Sequence, residues 1–88
     1  MATSKVTIKN KLGLHARPAA LFVQLANRFK CDIFVNKNGV EVNGKSIMCV
    51  MMLAAESGSE IIIRGVGEDA REAVKALTEL VESGFEEE

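Results

Sequence analysis

At 88 residues the chain is long enough for one compact core and too short for two. Hydrophobic residues make up 48% and charged residues 26%, a balance that excludes both a disordered tail and a membrane-embedded protein. The net charge of −1 hides an asymmetry: residues 1–50 carry eight Lys and Arg against two acids, and residues 51–88 carry three against ten. The only histidine lies in the basic half, where the excess of positive charge can steer an anionic substrate or an acidic partner.

In chain order, Val6 and Ile8 alternate with Lys5, Thr7 and Lys9 as a short half-buried strand, and Lys11-Leu12-Gly13-Leu14 breaks that pattern just before His15. From Pro18 onward Leu21, Phe22, Leu25, Ala26 and Phe29 fall at helical spacing and predict one apolar stripe. Pro18 suits a first helical turn, because its missing N–H would have no intrahelical partner there. Cys31, Ile33 and Val35, then Val40 and Val42, alternate on either side of Asn38-Gly39, the pattern of a two-residue hairpin. Ser46 stands as an N-cap for the apolar segment Ile47 to Ala55, in which Val50 and Leu53 are assigned to the core. Ile61 to Val66 reads as a largely buried strand. Asp69 and Glu72 have capping-box spacing for a last helix carrying Ala70, Ala73, Val74, Leu77, Leu80 and Val81, which Gly84 ends. A frayed acidic tail is expected over 86–88.

The predicted order is βαββαβα, an α+β class suited to one sheet with helices on one face, and a single domain over 1–88 is expected. The first ten residues show neither a basic segment before an apolar core nor a stretch of membrane-spanning length. A cytoplasmic protein without membrane insertion is therefore expected. Cys31 and Cys49 form no CxxC pair and have no histidine near them in sequence, so both are read as buried small hydrophobes. No metal and no cofactor is expected. A nucleic-acid module is disfavoured by the negative net charge and the lack of Tyr and Trp.

Chemistry points to His15. A helix start offers unpaired backbone N–H groups and the positive end of the dipole, a setting suited to phosphate. A neutral imidazole carries a nucleophilic nitrogen; a phosphoryl group placed on it would meet the amides of Ala16 and Arg17 and the Arg17 guanidinium. On the residues alone, His15 can equally be a plain cap or turn residue. Gly39-Val40-Glu41-Val42-Asn43-Gly44-Lys45-Ser46 matches the GxxxxGK[ST] pattern letter for letter. A P-loop requires a strand before the first glycine and an irregular loop after it, whereas here a hairpin turn is followed by an alternating strand.

Gly13-Leu14-His15-Ala16-Arg17-Pro18-Ala19-Ala20 resembles the active-site signature of HPr, the histidine-containing phosphocarrier family of the phosphoenolpyruvate-dependent sugar phosphotransferase system. The likeness continues through Lys45-Ser46-Ile47-Met48 and the whole order of elements. It implies an open-faced sandwich, a four-stranded mainly antiparallel sheet covered on one face by three helices. It further implies a stoichiometric carrier, not an enzyme with turnover of its own. His15 would take a phosphoryl group on Nδ1 from phosphorylated enzyme I and pass it to IIA domains of sugar permeases, with Arg17 stabilising it. Ser46 would be the target of an HPr kinase/phosphorylase, and a catabolite-control transcription factor is a further implied partner. Leu14, Ile47, Met48 and Met51 are expected to form an adaptable docking patch on a monomer. A nitrogen-type or purely regulatory relative remains the alternative. The chain departs from the family at Leu12: many members have a small polar residue three before the histidine, and leucine cannot supply a side-chain hydrogen bond to the imidazole.

Overall fold

The computed structural model describes residues 1–86. The elements are β1 (Ala2–Thr7), α1 (Ala16–Ala26), β2 (Asp32–Lys37), β3 (Val40–Asn43), α2 (Ile47–Met52), β4 (Glu60–Val66) and α3 (Ala70–Glu82), followed by a 3-10 turn at Gly84–Glu86. The strands form one sheet in the order β1-β4-β2-β3, every neighbouring pair antiparallel, as the order βαββαβα and the resemblance led us to expect. β4 sits between β1 and β2, with Ala2 opposite Gly65 on one side and Ile33 opposite Gly65 on the other. Asn38 and Gly39 both take positive φ, 53° and 86°, which the tight turn between β2 and β3 demands. No helix among the described residues is long and apolar enough to cross a membrane.

Side-chain alternation sorts the sheet into two faces. Val6, Ile33, Val35, Ile61 and Ile63 point into the core, where Phe22, Val23, Val50, Ala73, Leu77 and Val81 of the three helices meet them. The strand of β4 is therefore buried on one face only: Ile62 and Val66, expected inside, lie partly exposed on the open face because no helix among the described residues covers that side. On the same open face Arg64 grips Glu41 through two hydrogen bonds of 2.7 and 3.1 Å. Its guanidinium also lies 4.5 Å from the centroid of the Phe34 ring. The cluster joins β3, β2 and β4 across the sheet. In α1 the buried set is Pro18, Ala19, Phe22, Val23 and Ala26. Leu21, Leu25 and Phe29, placed in the stripe from spacing, lie at its half-buried margin.

Two local expectations give way to tertiary contacts. Asp69 occupies the N-cap of α3 without making a side-chain cap bond. Its carboxylate instead accepts the backbone N–H groups of Lys30 and Cys31, at 2.8 and 2.9 Å. The Lys30 amide, with the Cys31 contacts adding to it, holds the Asp69 carboxyl below the usual carboxylate range against the opposing effect of desolvation. Burial, with Asp69 reinforcing it, pushes the Cys31 thiol up. At the other end of α3, Gly84 takes φ 69° and Phe85 turns back to become 1% exposed. Glu86 thus belongs to an ordered turn, contrary to the expected frayed tail; the rest of that tail, 87–88, lies outside the described residues.

Replacing Phe85 by Ala should destabilise the fold by about 3 kcal/mol, read by urea unfolding. Asp69→Asn should lower Tm at neutral pH, where the carboxylate is ionised and its bonds are at full strength. Because a depressed carboxyl loses its contribution as it protonates, the Tm gap to wild type should narrow below about pH 3.9, the ordinary Asp value, and thermal scans across pH check this.

Candidate functional site

The loop between β1 and α1 is held from both ends. After β1, the Ile8 N–H donates to the Ser59 carbonyl and the Gly58 N–H donates to the Ile8 carbonyl, each at 2.8 Å. The Asn10 side-chain amide donates to the Gly13 carbonyl at 2.7 Å, and the Gly13 N–H returns to the Asn10 carbonyl at 3.2 Å. Gly13 has φ 69°, and a Cβ there would overlap the Ala55 carbonyl, so this position demands glycine twice over. The next amide, that of Leu14, donates to the same Ala55 carbonyl at 2.8 Å.

His15 follows as the N-cap of α1 with extended backbone, φ −77° and ψ −174°. Its carbonyl receives the Ala19 N–H at 3.0 Å, while its side chain makes no cap bond to the helix. Pro18 has no N–H to offer, so the amides of Ala16 and Arg17 are the two at this end without an acceptor in α1. The first turn contains no acidic residue to neutralise them. The half-buried His15 side chain lines an open depression with Lys11, Leu12, Arg17, Leu21, Phe85 and Glu86. Among these, Lys11, Leu21, Phe85 and Glu86 were not expected at the site from sequence. The signal for Phe85 was present: an apolar residue directly after a helix-ending glycine is the pattern of a Schellman cap. Leu12 is 74% exposed at the rim.

Ser46 caps α2 as expected, its Oγ accepting the Cys49 N–H at 3.3 Å. The helix start is tied to the end of α1. Asn27 donates to the Lys45 carbonyl at 3.3 Å, and the Lys45 ammonium donates to the Phe29 carbonyl at 2.6 Å. Val50 and Leu53 are buried, whereas Ile47, Met48, Met51 and Met52 are exposed, Met48 and Met52 at 75% and 76%. Met52 is an addition to the apolar surface read from sequence. Leu14 is a correction: expected to face partners, it is 4% exposed because the Ala55 bond turns its side chain into the core. Cys49, expected buried, is only half-buried, since α2 inserts Val50 toward the sheet in preference to its neighbour. The residues of the P-loop pattern form β3, and the Gly44 N–H is spent on the Ile33 carbonyl at 2.7 Å, which leaves no cradle for a nucleotide.

A four-stranded antiparallel sheet backed by three helices, with a histidine at the start of the first helix beside an arginine, defines the class as a small open-faced α+β sandwich. The family model described as "PTS HPr component phosphorylation site" matches residues 2–83, and the chain belongs to this HPr family of phosphocarriers of the phosphotransferase system. The chain is 48% identical to phosphocarrier protein HPr of Neisseria meningitidis serogroup A, across 99% of this chain and 98% of that one. It is 50% identical to the HPr-like protein Crh of Bacillus subtilis, across 93% and 96% of the two chains. The crystal structure of HPr from Thermoanaerobacter tengcongensis superposes with a TM-score of 0.96 at 50% identity, covering 100% of this chain and 99% of that one.

The geometry of the loop makes Gly13→Ala the sharpest structural probe. The added methyl should push the loop off Ala55 and speed hydrogen exchange of the Leu14 amide by at least about tenfold, measured by NMR, while amides within α3 keep their wild-type rates.

Proposed function

We propose that His15 accepts a phosphoryl group from phosphorylated enzyme I and passes it to sugar-specific IIA domains during phosphoenolpyruvate-dependent sugar uptake in the cytoplasm. The observation that carries this reading is that the histidine ring does not cap α1, as a purely structural histidine would, but lines an open depression beside Arg17. In the transfer, a ring nitrogen, Nδ1 by family resemblance, attacks phosphorus. The new N–P bond forms as the bond to the donor breaks and its electron pair returns to the donor group. The Ala16 and Arg17 amides and the Arg17 guanidinium hold the phosphoryl oxygens, with Pro18 setting the first turn in place. Attack by the IIA acceptor reverses the step and restores His15. A helix terminus contributes only about 0.3–1 kcal/mol at an exposed site, so cargo is held lightly enough to be passed on.

Ile47, Met48 and Met51, with Met52 beside them, serve as the apolar docking surface of a monomer that meets its partners in turn. Phosphorylation of Ser46 by an ATP-dependent HPr kinase/phosphorylase regulates that docking. It adds about 1.5–2 negative charges at the edge of the surface and opposes an acidic donor, and the phosphoserine form is the one a catabolite-control transcription factor would read. The similarity to Crh keeps a purely regulatory role acting through Ser46 as the second reading.

Incubation with phosphoenolpyruvate and catalytic enzyme I should add one acid-labile phosphoryl group, seen by intact mass and phosphorus NMR, and His15→Ala should abolish it. No transfer to a folded wild-type protein would move the assignment to the regulatory reading. Arg17→Ala should slow acceptance by about tenfold, equivalent to about 1.4 kcal/mol of lost transition-state stabilisation. Ser46→Asp and Met48→Glu should each slow transfer without lowering Tm, checked by initial rates against enzyme I concentration and by calorimetry.

A further inference from the structure

Lys37 closes β2, on the opposite side of the hairpin turn from Val40, and its side chain is half-buried. Its ammonium donates to the Leu53 and Ala54 carbonyls, at 3.3 and 3.2 Å. These carbonyls lie at the C-terminal end of α2, whose C-cap is Leu53. Carbonyls in such a position lack N–H partners further along the helix and sit at the negative end of its dipole, so a cation there is favourably placed.

The turn that Lys37 grips is unusual in its backbone. Ala54 has φ 51°, a left-handed conformation reached without the freedom of glycine. Its N–H donates back to the Met51 carbonyl at 3.0 Å. The next residue, Ala55, is buried and carries the carbonyl that receives the Leu14 amide and fills the space a Gly13 side chain would need. A short physical chain therefore runs from the Lys37 ammonium through two carbonyls and a left-handed turn to the backbone immediately before His15.

We infer that Lys37 is a positioning residue for the phosphoryl acceptor: by holding the Leu53–Ala54 turn it fixes the Ala55 carbonyl, and through it the loop that presents His15. Its two bonds go to the turn, and its effect on the histidine runs through the Ala55 carbonyl. Two carbonyl bonds from one ammonium supply what the alanine at position 54 lacks, a reason for the turn to stay left-handed.

This inference rests on the reading of His15 as acceptor, and its test has one arm that does not. Lys37→Met keeps the alkyl stem and removes the charge, Lys37→Arg restores donors, and Lys75→Met removes an exposed charge on α3 as a control. In Lys37→Met the Leu14 amide should exchange about fivefold faster, the size expected for losing partly exposed charge-assisted bonds. Phosphorylation of His15 by enzyme I should slow by a similar factor in kcat, with KM for enzyme I unchanged. Lys37→Arg should recover most of both, and Lys75→Met should match wild type in both. Wild-type exchange and transfer in Lys37→Met would overturn the inference, as would equal impairment of the Met and Arg variants. If wild type itself fails to accept phosphate, the acceptor reading falls, while Leu14 exchange still decides whether Lys37 holds the loop.

Discussion

The hydrogen bond from the Leu14 amide to the Ala55 carbonyl is the contact on which the rest of the site depends. It joins the start of α1 to the segment that leaves α2, and it does so where Gly13 leaves no Cβ in the way. Because Leu14 is pinned there, its side chain enters the core and the next residue, His15, is turned outward at the helix cap. Sequence and packing meet in these three consecutive residues: a glycine for close approach, a leucine for anchorage and a histidine presented at the helix cap.

The two ends of α1 serve different purposes. At its start, Pro18 removes one donor and the first turn has no acid, so the amides of Ala16 and Arg17 have no acceptor within the helix, and His15 and Arg17 line the depression. At its end, Asn27 and Lys45 tie it to α2. The helix therefore holds the apolar surface of Ile47, Met48, Met51 and Met52 in a constant relation to the end that carries His15. The fold thus sets flexible methionine side chains on a rigid base.

Features that depend on near neighbours in the chain were legible from the residues alone. Asn38-Gly39 specified its hairpin because only residues tolerant of positive φ suit that turn, and Ser46 capped α2 because the amide it accepts lies three residues away. The apolar repeat of α3 likewise placed Ala70, Ala73, Val74, Leu77 and Val81 inside. Features set by distant contacts were not legible. Asp69 had a plausible local partner in its own helix, yet the amides of Lys30 and Cys31, on the far side of a loop, claimed both its oxygens. Leu14 was expected in the docking patch because it adjoins His15 in the signature, and the Ala55 contact turns it into the core instead. Leu21 and Leu25 shared a helical stripe with Phe22, but a helix that packs against two others and a sheet is selected by depth, not by periodicity alone.

The pairing of β1 with β4 has a bearing on how the protein is made. Ala2 finds its partner at Gly65 and Thr7 at Glu60, and among the described residues β1 has no other neighbour in the sheet. A nascent chain that has emerged as far as α2 therefore has its histidine and its first helix but no strand to hold β1 beside β2. Closure of so distant a pair is slow compared with helix formation. Until β4 arrives, Val6 and Ile8 have no sheet to pack within. The surroundings of His15 are assembled by the later half of the chain around residues synthesised first, and a truncated product would carry the Gly13–Ala20 signature without the Ala55 carbonyl that holds its loop.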